Sequence, residues 1–417
     1  MTKPKLAVLS SYDELCGIAT YTSALLNQFT KYYDTTVVPL NPELLRTGES
    51  SIAKKHIKDI CNKLKDFDVV NIQFDGGLFG NEPGKILKRS MAIAQSCKKL
   101  VLTMHQVPPI EKYPSFKRLV NAYLGKKLEL HIKELRTIYA NNRHVKSYHK
   151  LIRYCKAQGY PVILHTGREA KLLRVKLDYD HIYDHPLCFH SQEYIQAIKA
   201  NSSKAEFLRK YGLSENKIYL GIFGFISDYK AHETVIKTLE YLPENYELIV
   251  FGSQHPNFIK LKEKINPYIK KLMDLINEKK HLTSRVKFCG SLNDDDFLKA
   301  LIWCDFNILP YLEVNQGGSG IAALSLEVGT KTIFAQNKAF IELAKYAPDS
   351  FKMFTIGNYM ELAHAILHYS PSTYQHHLEK YWAKYNIGSN MHLYRTLISN
   401  LLGEALPAES EFAKELK

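Results

Sequence analysis

The residues best suited to chemistry in this 417-residue chain are a few glycines, two histidines, a lysine and an acid, most of them just past short apolar runs. The densest group is QGGSGIAALSLEVG, from Gln316 to Gly329. Glycines surround Ser319, and the helix-periodic run behind them carries one carboxylate, Glu327, before stopping at Gly329. Glycines ahead of a helix let the backbone approach a ligand, and a helix start leaves N–H groups free for an anion. Gly318, Ser319 and Gly320 are therefore candidate cradle residues for a phosphate or a hydroxyl; a tight turn into a core helix is the plainer reading. A lone buried carboxylate is costly, so Glu327 needs a partner: a ribose, a lysine or solvent.

GFISDYKAHE (224–233) sets Gly224 at the end of an apolar run and Lys230 just before a helix. A lysine there can neutralise a diphosphate held at a helix start, or it can simply be solvated. The spacing is not that of a Walker motif. In SSYDELCGIATYT (10–22), Gly17 and Ile18 stand at another strand-to-helix junction, without the GxGxxG of a dinucleotide site. His105 closes KLVLTMH, and His165 lies in HTGRE, also at a strand end. A neutral imidazole can orient a sugar hydroxyl or meet a developing charge; each can also be a packing histidine. Gln73 and Asp75, in NIQFDGGLFG, are candidates for an acceptor site. Asp294, Asp295 and Asp296 open a helix, where capping and the helix dipole account for them without a metal.

The elements that position these residues read as two strand–helix series. Apolar runs at 5–11, 35–40, 68–74, 99–105 and 161–166 form the first, with helices from Gly17 and from about Arg168. Runs at 217–226, 246–253, 285–291, 306–311 and 331–336 form the second, with helices over 231–242, 294–304 and the stretch behind Ser319. Short continuous apolar strands alternating with helices predict parallel, doubly wound sheets, so the fold class is α/β with two Rossmann-like domains facing a cleft. The expected boundaries are an N-terminal domain over 1–190, a second domain over 191–385 and a helical tail over 386–417. Between His105 and Pro161 a stretch rich in Lys, Arg and Tyr reads as a basic helical insert at about 112–158. It is either a surface for an acceptor or an anionic membrane, or a solvated hairpin packed on the sheet.

Composition bounds the rest. An apolar fraction of 45% and a charged fraction of 24% are those of a globular protein able to bury sizeable cores. No apolar run approaches the ~20 residues that cross a bilayer, and the start reads as a strand rather than a signal peptide. Seven scattered cysteines without a CxxC pair fit a reducing cytoplasm better than a disulfide framework. The net charge of +14 suits an acidic partner without choosing among nucleic acid, membrane and phosphorylated substrate.

Taken together, GIATYT, NIQFDGGLFG, LTMHQV, GFISDYKAHETVIKTL and LPYLEVNQGGSGIAALSLEVGTKTIFA resemble glycosyltransferases of the GT-B fold, most of all the retaining nucleotide-sugar enzymes of glycosyltransferase family four. The resemblance covers most of the chain apart from the basic insert and the tail. It implies an acceptor-side N-terminal domain and a nucleotide-sugar-binding C-terminal domain. It also implies catalytic roles for His105, beside the transferred sugar, and Lys230, on the donor diphosphate. Gly17 and Ile18 would face donor phosphate and sugar, with Gly224, Gly318, Ser319 and Gly320 on the donor side, and Glu327 would hold the ribose. The acceptor candidates Gln73, Asp75 and His165 rest on their own strand-end positions rather than on the resemblance.

The implied reaction moves a sugar from a UDP- or GDP-sugar to a hydroxyl of a glycan or lipid-linked acceptor. Retention, no metal and no further cofactor are part of the implication. So is a place in polysaccharide or glycoconjugate assembly; the expected cytoplasmic location, with peripheral contact to the inner membrane face through the insert, rests instead on the cysteines and the basic stretch. Two positions depart from the family pattern. Phe225 stands where many members carry an arginine on the diphosphate, and Ser319 where many carry a glutamate. These departures motivate the alternatives of a non-catalytic GT-B binding or scaffolding protein and, from the charge, a nucleic-acid-modifying glycosyltransferase, for which no nucleic-acid-binding motif is present.

Overall fold

The computed structural model describes residues 3–12, 16–107, 128–254, 266–313 and 317–404. Gln316, the first part of the expected basic insert and the end of the tail lie outside the described residues. The chain divides into two compact units, one of Met1–His185, Asn315–Gly317 and Asn390–Lys417, the other of Pro186–Val314 and Gly318–Ser389.

The first unit is built on a parallel sheet of β1 (Lys5–Ser10), β2 (Asp34–Pro39), β3 (Val69–Phe74), β4 (Leu100–Met104), β5 (Val162–Leu164) and β6 (Ile182–Asp184), in the order β2-β1-β3-β4-β5-β6. All residues of β3 and β4 are buried, as expected of central strands covered by helices on both faces. Two polar side chains in β3, Asn71 and Gln73, are buried with them and must find partners inside the sheet.

The second unit repeats the plan with β7 (Ile218–Phe223), β8 (Tyr246–Phe251), β9 (Val286–Phe288), β10 (Phe306–Leu309), β11 (Lys331–Ala335) and β12 (Lys352–Phe354), in the order β12-β11-β10-β7-β8-β9. All described pairings in both sheets are parallel. This is the doubly wound α/β class that the alternating pattern predicts. The strand order reverses between β1 and β3 in one unit and between β7 and β10 in the other. Open α/β sheets take ligands beyond the carboxyl ends of their strands at such reversals.

The expected basic insert is, over its described part, a helix from Leu128 to Gln158. Its C-terminal half is core: Val145, Tyr148, Leu151, Ile152 and Cys155 are buried at helical spacing, and the Tyr148 hydroxyl accepts from the Gly76 amide at 2.9 Å. Only the N-terminal half turns large apolar side chains outward, Ile132, Leu135 and Tyr139. The Asp294–Asp296 run opens the helix Asp294–Trp303, whose first turn is capped by Asn293, and Asp296 pairs with Lys210 at 2.7 Å. Among the described residues no helix is long and apolar enough to cross a membrane.

Candidate functional site

In the second unit the candidates gather at the β7–β10 reversal. Gly224 follows β7 with φ of 81°, a backbone region open to glycine and strained for other residues. Its amide donates to Phe251 at 2.8 Å, and a Cβ on Gly252 would stand 2.1 Å from its carbonyl oxygen, so two chain segments touch here without room for side chains. Lys230 ends a short 3-10 turn, Asp228–Lys230, and Ala231 then takes a left-handed conformation before the helix His232–Thr238.

The side chain of Lys230 folds back beneath β7. It is 3% exposed, which excludes a solvated lysine. Its Nζ donates to the Phe223 carbonyl at 2.5 Å and lies 5.6 Å from the centre of the Tyr311 ring. Among the described residues no carboxylate pairs with it, and burial lowers its pKa from 10.5 to about 7. A buried ammonium with one carbonyl and one aromatic face for company is a cation short of an anion.

Ser319 is the N-cap of the helix Gly320–Val328, its Oγ accepting from the Ala322 amide at 3.3 Å. In this chain the residue at that position is thus engaged in starting the helix. A Cβ on Gly320 would come 3.2 Å from the Phe189 ring. Glu327 is buried, and its partner is backbone: Oε1 accepts from the Phe189 amide at 2.6 Å and Oε2 from the His190 amide at 3.2 Å. Burial raises its pKa to about 8, against the lowering pull of those two amides. Each oxygen retains a second lone pair, so a hydroxyl donor can still be accepted.

In the first unit the candidates lie beyond β1, β3, β4 and β5. Gly17 begins the helix Gly17–Tyr32, whose N-cap Cys16 makes no side-chain capping bond. Among the described residues, a Cβ on Gly17 would meet nothing within 4 Å beyond its own helix and chain neighbours, so their packing does not require glycine there. Asp75 is spent on a turn: its carboxylate accepts from the Gly77 amide at 2.7 Å, and burial raises its pKa while that amide, Arg46 and His144 lower it.

Gln73, His105 and His165 form one connected row. His105 Nε2 is 2.8 Å from Gln73 Oε1, its Nδ1 is 3.2 Å from His165 Nε2, and His165 Nδ1 is 3.2 Å from the His185 carbonyl. Burial depresses both imidazoles, His105 well below its ordinary value with a further push from His165, and His165 to about 4. Tyr21 packs edge-on against both rings at 5.4 and 5.2 Å. Sequence reading passed over Tyr21 and Tyr311. Tyr21 stands one helical turn after Gly17 and Tyr311 two residues after β10, and either position could have drawn notice.

No family model matches this chain, and no curated protein matches it in sequence. Solved structures do match in fold. HepE of Anabaena, in a complex with UDP, is 15% identical over 95% of this chain and 100% of its own, with a TM-score of 0.62. Sucrose-phosphate synthase of Thermosynechococcus elongatus is 13% identical over 95% of this chain and 100% of its own, with a TM-score of 0.64. The UDP-forming α,α-trehalose-phosphate synthase of Burkholderia xenovorans, in complex with glucose-6-phosphate, is 8% identical over 94% of this chain and 99% of its own, with a TM-score of 0.63. The shared architecture is that of GT-B glycosyltransferases, two parallel six-stranded sheets with flanking helices.

Proposed function

We propose that this protein is a GT-B glycosyltransferase that moves a sugar from a nucleotide diphosphate sugar to a hydroxyl of a glycan or lipid-linked acceptor. The observation that carries this reading is Lys230: a buried ammonium without an acid, beneath the strand whose end borders the sheet reversal. Its desolvation is offset when a diphosphate arrives, and more so as charge develops on the leaving group, which is how such a cation speeds transfer. HepE is a complex with UDP, and the trehalose-phosphate synthase is named as UDP-forming, which favours a UDP-sugar donor over a GDP-sugar.

The further roles follow the family resemblance. Lys230 and His105 act on the reacting groups; Gly17, Ile18, Gly224 and the 318–320 turn approach the donor through their backbone; Glu327 receives the ribose. Gln73, Asp75 and His165 are the acceptor-side candidates by their strand-end positions. Transfer proceeds with retention and without a metal ion, the leaving diphosphate being met by Lys230 and helix N-termini. The product belongs to polysaccharide or glycoconjugate assembly in the cytoplasm.

The test is a panel of UDP- and GDP-sugars incubated with the full chain and followed by mass spectrometry. Binding of at least one sugar nucleotide, with slow release of its nucleoside diphosphate, is expected. A folded protein that binds none of them and releases nothing removes the reading. A non-catalytic binding protein is the second reading, favoured by Ser319 being engaged as a helix cap where the family often has a carboxylate. Binding without turnover in the presence of varied acceptors would support it.

A further inference from the structure

The row of polar groups in the first unit has fixed ends, and their polarity can be followed atom by atom. The carbonyl of Val101 can only accept, so Asn71 donates its Nδ2 to it at 3.1 Å; the same Nδ2 reaches Thr103 Oγ1 at 3.0 Å. Asn71 Oδ1 must then accept, and it does so from Gln73 Nε2 at 2.5 Å. That leaves Gln73 Oε1 as the group facing His105, so His105 Nε2 carries a hydrogen and donates at 2.8 Å. At the other end the His185 carbonyl can only accept, so His165 Nδ1 carries a hydrogen.

A neutral imidazole has one N–H. Both rings have therefore already placed theirs at the outer ends. What remains is His105 Nδ1 and His165 Nε2, facing each other at 3.2 Å with a lone pair on each. Turning the Gln73 amide over would set Oε1 against Asn71 Oδ1, and turning Asn71 as well would set its oxygen against the Val101 carbonyl. One added proton turns the central contact into an N–H···N bond and satisfies every member of the row; a second has no acceptor.

We propose that His105 and His165 act as one site for a single shared proton, held between His105 Nδ1 and His165 Nε2. Both ring nitrogens of His105 are then engaged, so its contribution to the site is a positive charge rather than a free hydrogen-bonding atom. Gln73 and His165 are positioning residues that fix the tautomer of His105. Burial works against the charge, so the proton is held only as firmly as the hydrogen-bond row can oppose that cost.

Among the described residues, further polar and titratable groups reach the pair from four elements. From the helix Gly17–Tyr32, Tyr21 contacts both rings edge-on, and its hydroxyl accepts from Asn390 at 2.9 Å. From β4, Thr103 bonds the Tyr394 hydroxyl at 2.7 Å. From the helix Gly167–Leu177, Glu169 is the acid on this side, its Oε2 accepting from Thr166 at 2.8 Å. His185 follows β6 and lowers the proton affinity of His165 if it is charged itself.

The experiment is a ligand-free pH titration of the full chain labelled with nitrogen-15 histidine, so it does not depend on the glycosyl-transfer reading, which UDP binding tests separately. The two rings are expected to change together in one single-proton step, with an N–N coupling across the new hydrogen bond. His165→Gln sets an amide donor against His105 Nδ1 and is expected to remove both the step and the coupling. Gln73→Leu removes the acceptor of His105 Nε2, so the neutral ring can carry its hydrogen on Nδ1 and bond His165 Nε2 without an added proton; the step is expected to move downward and the N–N coupling to be present before it, which keeps the test open if His165→Gln does not fold. The proposal is overturned by either ring titrating alone, by both rings becoming cationic, or by a pair that stays unprotonated down to the acid unfolding transition.

Discussion

A methyl group on Gly224 would stand 2.5 Å from the ammonium nitrogen of Lys230 and 2.8 Å from Ile321 Cδ1. The glycine and the lysine thus share one small space, and the positive φ at 224 strains any replacement further. Gly224→Ala is expected to push the Lys230 side chain off the Phe223 carbonyl and to lower donor binding at least tenfold. The loss in stability should be about 1–3 kcal/mol. Calorimetric titration with UDP and a urea melt read the two effects; unchanged affinity would separate Gly224 from the lysine's role.

Lys230 also sets a pH dependence. Its folded pKa is lowered to about 7 from 10.5, so the unfolded chain binds more protons between those values. On this group's account the protein is least stable below pH 7, and stability rises as pH climbs toward 10.5. The span corresponds to about 5 kcal/mol. Lys230→Met is expected to flatten that rise and to be more stable than the parent near pH 7, while losing donor binding. Urea melts at several pH values check the slope.

The same lowered value makes anion binding a proton-uptake event. A diphosphate beside Nζ raises its pKa, so affinity should fall as pH rises above about 7, by up to roughly tenfold per unit until the bound pKa is reached. Titrations in buffers of different ionisation heat should show close to one proton taken up per nucleotide near pH 8. Removal of that proton by Lys230→Met assigns it; persistence assigns it elsewhere, Glu327 with its pKa of about 8 being a second group that titrates in this range.

Much of the frame was legible because it rests on local pattern. Val69–Phe74 and Leu100–Met104 are continuous apolar runs, and such runs alternating with helices can hardly pack except as parallel sheets. Two three-residue strands, Ile182–Asp184 and Lys352–Phe354, escaped notice, whereas the equally short Val162–Leu164 is marked by its unbroken apolar run. In the site, the position of Lys230 could be read from its place after a strand, but its burial could not, since that depends on the fold-back under Phe223. The meeting of His105 with His165 spans 60 residues and that of Glu327 with Phe189 spans 138. Contacts of that separation are set by sheet topology rather than by neighbouring sequence. For the basic stretch the surface and packed-hairpin readings both stay open in the sequence because its charges dominate the composition; the buried series from Val145 to Cys155, interleaved with them at helical spacing, favours packing for that half.

Gly17 offers a clean separation of ligand from fold. Among the described residues, no atom beyond its chain neighbours and its own helix backbone lies within 4 Å of a Cβ placed there, and its φ is not in the left-handed region. Gly17→Ala is therefore expected to leave stability unchanged or raised by up to about 1 kcal/mol, from helix propensity alone. If backbone amides at 17 and 18 approach a donor phosphate, the same methyl should lower transfer about tenfold or more. A fully active, equally stable variant would show that the glycine serves neither.

Glu327 can be tested through the ribose itself. Its two oxygens already accept from the Phe189 and His190 amides, so the carboxylate is held in place before any ligand arrives. Above pH 8, where Glu327 is ionised, hydroxyls bonded to the charged acceptor contribute about 1.5–3 kcal/mol, or roughly ten- to a hundredfold in affinity. The parent protein should therefore prefer UDP over its 2′- and 3′-deoxy analogues by that factor for whichever hydroxyl is bound. In Glu327→Gln the preference should shrink to a few-fold while affinity for the deoxy analogue stays near that of the parent. The amide cannot accept from both backbone donors, so a stability loss of about 1–3 kcal/mol should accompany the change. A urea melt measures that cost independently of nucleotide. Equal preference for UDP in parent and variant would leave Glu327 as a buried brace for the 189–190 backbone and nothing more.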